Sequence, residues 1–112
     1  MRRNKTARGQ RGLAALFLLT ALSLSVEANA QAGREKAAQC FTCHGADGIA
    51  KTPDAPNLAG QNEAYLVKAI NDYKSGARKH EIMAMMTRNL SAAEIGQLAA
   101  YYSRIEIVVK VP

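Results

Sequence analysis

The chain has no tryptophan, two phenylalanines and four tyrosines among its 112 residues. Large flat side chains carry much of the apolar burial in a small core, so a core built from this chain alone is thin. Histidine and cysteine are as sparse: His44, His80, Cys40 and Cys43 are the full set. A structural zinc site takes four such ligands. It would need every one of them, and adjacent Cys43 and His44 fit poorly into one tetrahedron. A disulfide between Cys40 and Cys43 closes a tiny loop and stabilises little. A thioredoxin-like dithiol needs a βαβ setting, and no strand-rich segment precedes Cys40. No repeat, linker or low-complexity stretch interrupts the chain.

Excess charge is also missing once the chain is divided. Arg2, Arg3, Lys5, Arg8 and Arg11 form a basic start, Leu13 to Val26 is an uncharged apolar run, and Ala28-Asn29-Ala30 offers a small-residue cleavage site, with Ala30-Gln31-Ala32 as a second choice. This is the pattern of a secretory signal. The run is short of the ~20 residues that a membrane helix needs, and no cysteine stands at the cut to carry a lipid. The expectation is a cleaved Sec-type signal over residues 1–30, ending near Ala30, and one domain over 31–112. The whole chain has a formal charge of +6, but residues 31–112 hold ten basic and eight acidic side chains, a net +2. The basic pI near 9.6 therefore mostly describes the signal and is no argument for nucleic acid. A domain of this size is marginal on its own apolar core.

What is present is Cys40-Phe41-Thr42-Cys43-His44. C-x-x-C-H is the attachment motif of c-type haem. Two thiols one helical turn apart can each form a thioether to a haem vinyl group. The next side chain, His44, then lies under the iron as its proximal ligand. A haem also supplies the large apolar body that the composition lacks.

Around the motif, Gly33 to Phe41 reads as a short helix whose small residues Gly33 and Ala37 would let another helix approach. Gly45 to Gly48 is irregular, and Pro53 to Gly60, with two prolines, is a loop. Asn62 is a predicted N-cap for a helix to Ser75. Tyr65, Leu66, Ala69, Ile70 and Tyr73 form its stripe, and Gly76 follows as a left-handed stop. Arg78 to Asn89 reads as a basic loop carrying His80, Met83, Met85 and Met86. Ser91-Ala92-Ala93-Glu94 is a capping box opening a last helix to about Ser103, with Ile95, Leu98, Ala99 and Tyr102 as its stripe. Residues 105–112 are apolar and β-prone.

A low-spin carrier needs a sixth iron ligand. A thioether favours Fe(II) and raises the potential. Met83, Met85 and Met86 all qualify by position, and spacing alone does not choose among them. The others pack as soft filler. His80 is the remaining nitrogen ligand, but it sits in the charged stretch Arg78-Lys79-His80-Glu81 and reads as solvated.

Several motifs together resemble the class I cytochromes c, in the small bacterial single-haem branch related to duplicated di-haem carriers. They are Cys40-x-x-Cys43-His44-Gly45, Asp47-Gly48, Pro56-Asn57-Leu58-Ala59-Gly60-Gln61, Tyr65-Leu66, Tyr73-x-x-Gly76-x-Arg78, Met83, Leu90-Ser91 and Leu98-Ala99-x-Tyr101. The resemblance covers nearly all of the mature chain up to Ser103. It implies an all-α fold of three main helices around one covalent haem, here followed by an extended tail over 105–112. It also implies Cys40 and Cys43 as thioether residues, His44 and Met83 as axial ligands, and the Pro56 carbonyl as acceptor from the proximal imidazole. Arg78 is placed where it can face a haem propionate, and Gly33 and Ala37 where they cross the last helix near Leu98 and Tyr101. The tail departs from the pattern.

The function implied is periplasmic electron transfer by a His/Met-ligated haem c cycling Fe(III)/Fe(II). No turnover site is expected, and so no enzyme. Partners would be transient redox proteins, without nucleic acid and without stable membrane insertion of the mature chain. The alternative is a haem subunit of a periplasmic dehydrogenase, with the tail added to a partner's sheet edge. A five-coordinate gas-binding or peroxidatic haem would require that no methionine bind.

Overall fold

A computed structural model describes residues 27–112. The expected signal lies outside the described residues except for 27–30, which are helical and continuous with 31–36. We call residues 27–36 α1. A 3-10 turn over Ala37–Cys40 leads into α2, Phe41–His44; α3 is Glu63–Ser75, α4 is Glu81–Thr87 and α5 is Ala92–Ser103. Among the described residues there is no strand.

The helix ends follow the sequence chemistry. Asn62 Oδ1 accepts from the Tyr65 N–H at 3.2 Å and opens α3. Gly76, at φ 80°, closes it in the left-handed region. Ser91 and Glu94 form the reciprocal capping box of α5, worth about 1 kcal/mol against an uncapped start.

One expectation fails. The basic loop Arg78–Asn89 contains a seven-residue helix, α4. Glu, Met and Ala are good helix formers, and a side chain of the sequence caps it: His80 Nδ1 accepts from the Met83 N–H. The tail is extended, as expected, but unpaired. Ile105 packs against the core and Ile107 lies over Gly60, whereas Val108, Val109 and Val111 are exposed.

The buried apolar cluster is small: Ala37, Leu66, Leu90, Ile95, Leu98, Ala99 and Tyr102. Four of these seven come from α5, and α5 and α4 both pack on α3. The crossing of α1 and α5 depends on the absence of a side chain at Gly33. A Cβ there would lie 2.0 Å from the Gln97 carbonyl oxygen and 2.9 Å from Tyr101 Cβ. The first obstacle is backbone and cannot rotate away. An ion pair between Lys36 and Glu94 ties the end of α1 to the start of α5.

Two outcomes follow from this crossing. Gly33→Ala forces the helices apart, and we expect a loss of about 1–3 kcal/mol, read as a lower midpoint in thermal melts; an unchanged midpoint would mean that the crossing gives way freely. The Lys36 ammonium, and next the Ser91 N–H, hold the Glu94 carboxyl down to about 2 from an ordinary 4.5. A folded-state pKa below the unfolded one gives stability that is complete above about pH 4.5 and lost as the pH falls toward 2. Melts of wild type and Glu94→Gln should therefore converge through that window. Curves that stay parallel would show that the link contributes nothing.

Candidate functional site

The motif is held as a single turn. Cys40 ends the 3-10 segment, Cys43 and His44 lie in α2, and Gly45, at φ 76°, breaks the helix immediately after. The Gly45 N–H donates to Phe41 O at 2.9 Å and the Lys51 N–H to Cys43 O at 2.8 Å. Both cysteines are half-buried and are not joined to each other by a disulfide. Burial, and secondarily Cys43, pushes the Cys40 thiol up from its ordinary pKa.

The loop after the motif folds back by backbone and side-chain bonds. Leu58 and Ala59 donate to the Gly48 carbonyl at 2.7 and 3.0 Å. Gly48 stands at φ 69°, and a Cβ there would meet Ala59 N at 2.6 Å, so only glycine fits. Asn57 Oδ1 accepts from the Ala50 N–H at 2.8 Å. Asp47 accepts from the Ile49 N–H and pairs with Lys51. Lys51, and next the Ile49 N–H, hold its carboxyl below the usual range. Two hydroxyls of α5 fasten the same loop. Tyr101 donates to Ala46 O, and buried Tyr102 donates to Gly45 O at 3.4 Å. Burial raises the Tyr102 phenol above its ordinary pKa.

The folded loop brings the Pro56 carbonyl oxygen to 2.9 Å from His44 Nδ1. A carbonyl oxygen only accepts, so Nδ1 carries the proton and Nε2 keeps its lone pair. His44 is 7% exposed.

Cys40, Cys43 and His44 line a cavity of about 630 Å³, within the ~300–1,000 Å³ usual for cofactor sites. All five residues of the α3 stripe line it too, with Leu98 and Tyr102 of α5. α4 contributes Met83 and Met86, one turn apart. Met85 is 57% exposed and is absent from the lining. Arg78 and His80 lie on the lining as well. The Arg78 guanidinium stacks 4.7 Å from the Tyr73 ring centroid, and His80 meets the same ring edge-on at 6.2 Å. Thr52, also on the lining, has a buried hydroxyl oxygen without a partner.

The donor set fits a covalently held haem. Two thiols one turn apart and an imidazole with a free Nε2 share one largely apolar cavity with two thioethers. No cluster of three or more His, Cys, Asp or Glu side chains that would suit zinc occurs among the described residues. The motif, read directly, and Pro56, Arg78 and Met83, implied by the resemblance, all fall on the lining of one cavity. Sequence reasoning missed the loop fasteners Asn57, Tyr101 and Tyr102, and the cap at His80. The signal for the last was a side-chain acceptor three residues before Met83, in front of Glu-Ile-Met-Ala.

Comparison with known proteins agrees. The family profile described as Cytochrome c matches residues 30–104. Cytochrome c4 of Pseudomonas aeruginosa is 45% identical over 75 residues, covering 67% of this chain and 37% of that protein. Cytochrome c-554(548) of Halomonas halodenitrificans is 43% identical over 81 residues, 70% of this chain and 98% of its own length. A thiosulfate dehydrogenase electron acceptor of Thiomonas intermedia is 37% identical over 97 residues, 86% of this chain and 45% of that protein. The solved cytochrome c4 of Acidithiobacillus ferrooxidans superposes with a TM-score of 0.63 at 30% identity, over 68% of this chain and 49% of that one. The chain thus spans less than half of these cytochrome c4 relatives and nearly all of the smaller cytochrome c-554(548). No helix among the described residues is long and apolar enough to cross a membrane. Motif, cavity and matched relatives agree that the chain belongs to the cytochrome c family, with one covalently bound haem c as its cofactor.

Proposed function

We propose that the protein is a periplasmic electron carrier, exported by a signal over residues 1–30, and not an enzyme. The observation that carries this reading is the apolar cavity that gathers Cys40, Cys43 and a buried His44 with Met83 and Met86 of α4. When bound, the haem supplies a one-electron Fe(III)/Fe(II) couple.

In this reading the Cys40 and Cys43 thiols hold the group by two thioethers. His44 offers Nε2 to the iron, and its Nδ1–H stays on the Pro56 carbonyl, which fixes the ring and raises its basicity. Met83 would be the second protein ligand, a thioether that favours Fe(II). Arg78, whose guanidinium stacks on Tyr73, would pair with a haem carboxylate. The stripe of α3 and Leu98 keep water from the iron. With His44 and Met83 both committed to the haem, the chain would keep no site for substrate turnover, and its partners would be transient redox proteins.

The test is a pair of variants. Met83→Ala should lower the midpoint potential, abolish the far-red thioether-to-iron band of the oxidised protein and let carbon monoxide bind the reduced form. Met86→Ala should leave the spectrum alone and cost at most about 2–5 kcal/mol of packing. The reverse pattern transfers the ligand role to Met86 without touching the carrier reading.

A second reading, a haem subunit working with a periplasmic dehydrogenase, is favoured by two observations. One relative is itself named as the electron acceptor of a dehydrogenase. Val108, Val109 and Val111 stand exposed at the end of the tail, in a segment able to add to a sheet edge. If so, the full chain should co-purify with an oxidoreductase, and deleting residues 108–112 should release it while the potential stays unchanged. A chain that purifies alone with or without the tail overturns this second reading.

A further inference from the structure

Met83 is held by side chains at both of its peptide groups. Its N–H donates to His80 Nδ1 at 3.3 Å, and its carbonyl accepts from the Thr87 hydroxyl at 2.8 Å. We propose that His80 and Thr87 are positioning residues that clamp the Met83 backbone and so set how readily its thioether leaves the iron. This rests on Met83 as the sixth ligand.

Several observations point the same way. α4 has seven residues, too few to persist on helix propensity alone, so its ends must be secured. The Met83 N–H is one of the four donors that a helix start leaves without an internal partner. Serine, threonine, aspartate and asparagine normally fill that need; here a histidine does. His80 is exposed, but Tyr73 of α3 meets its ring edge-on at 76°, and Arg78 covers Tyr73 in turn, so the capping ring has a neighbour on α3. At the other end Thr87 is 2% exposed. Its own carbonyl takes the Leu90 N–H at 3.1 Å, and the Leu90 carbonyl takes Lys74 Nζ of α3. The clamp is thus anchored to α3 at both ends.

The consequence concerns ligand exchange. A thioether on a loose segment must order that segment each time it returns to the iron, at about 1–2 kcal/mol per backbone residue fixed. A segment already held loses much less. Opening of α4, rather than breaking of the iron–sulfur bond alone, then governs how often the site stands open.

The test uses the haem-loaded protein at one fixed pH, with imidazole as the competing ligand of the oxidised form. His80→Ala should raise the rate of methionine displacement on the order of fivefold, the usual weight of a lost helix cap. His80→Asn, which keeps a capping acceptor, should restore the wild-type rate. Thr87→Val should act like His80→Ala, and Thr87→Ser should restore. Ser91→Ala removes a cap of similar size from α5 without touching Met83. It should lower the melting temperature and leave the displacement rate alone. If His80→Ala and Thr87→Val exchange at the wild-type rate while Met83→Ala loses the far-red band, the clamp is wrong and the ligand assignment stands. If Ser91→Ala speeds displacement as much as His80→Ala, the effect is general stability and the proposal is overturned. If Met83→Ala keeps the band, the ligand assignment falls and the clamp with it.

Discussion

Everything in this domain is arranged around a space that the chain does not fill. The cavity measures about 630 Å³, whereas the buried apolar cluster has seven members, two of them alanines, and Ile95 is its one large side chain below 2% exposure. Helices α3 and α5 meet on one side of that cluster, and the rest of the α3 stripe borders the cavity. A chain so poor in aromatics gains little by closing on itself. Apolar surface brought by the haem would make good that deficit. Attachment through Cys40 and Cys43 makes that surface part of the covalent chain. It removes the dissociation equilibrium that would otherwise set the domain's stability.

The proximal side shows how much structure one imidazole recruits. His44 is positioned by α2. Its tautomer depends on the Pro56 carbonyl, which depends on the loop 45–61. That loop is fastened by Gly48 at its neck, by Asn57 across its middle, and by the hydroxyls of Tyr101 and Tyr102. The tyrosines belong to α5, whose seat against α1 requires Gly33. A substitution at a helix crossing far from the motif therefore reaches the hydrogen bond that fixes the His44 imidazole.

Much of this was legible in the sequence. Cys40, Cys43 and His44 declare themselves because attachment needs their spacing. Asn62, Gly76 and the Ser91–Glu94 box marked helix ends because caps use few residue types. Other features were not readable. Helix α4 was read as a loop because seven residues show no full apolar period, and because histidine is a rare cap. The α3 stripe was legible as a stripe, but periodicity does not say whether a helix faces protein or cofactor. Met85 separates from Met83 and Met86 only when the helix is drawn. Residues one turn apart then share a face, and Met85 points to solvent. The role of Pro56 came from resemblance, since no local pattern marks a carbonyl as an acceptor for a side chain twelve residues earlier.

The two sides of the cofactor site differ in how they are held. On the His44 side, bonds come from α2, the loop and α5, elements far apart in sequence. On the methionine side, a seven-residue helix is secured by its own end residues and by its packing on α3. Cooperative units open in order of their local stability, and a unit with so few tertiary partners opens first. In the proposed ligation this makes the thioether the exchangeable ligand and the imidazole the fixed one. A carrier needs its iron held in nearly the same surroundings in both oxidation states. In that proposed ligation the His44 side would meet that need by redundancy, and the methionine side by the few bonds at either end of α4. Any property of the iron that varies with conditions should therefore be traced to α4 before it is traced to the motif.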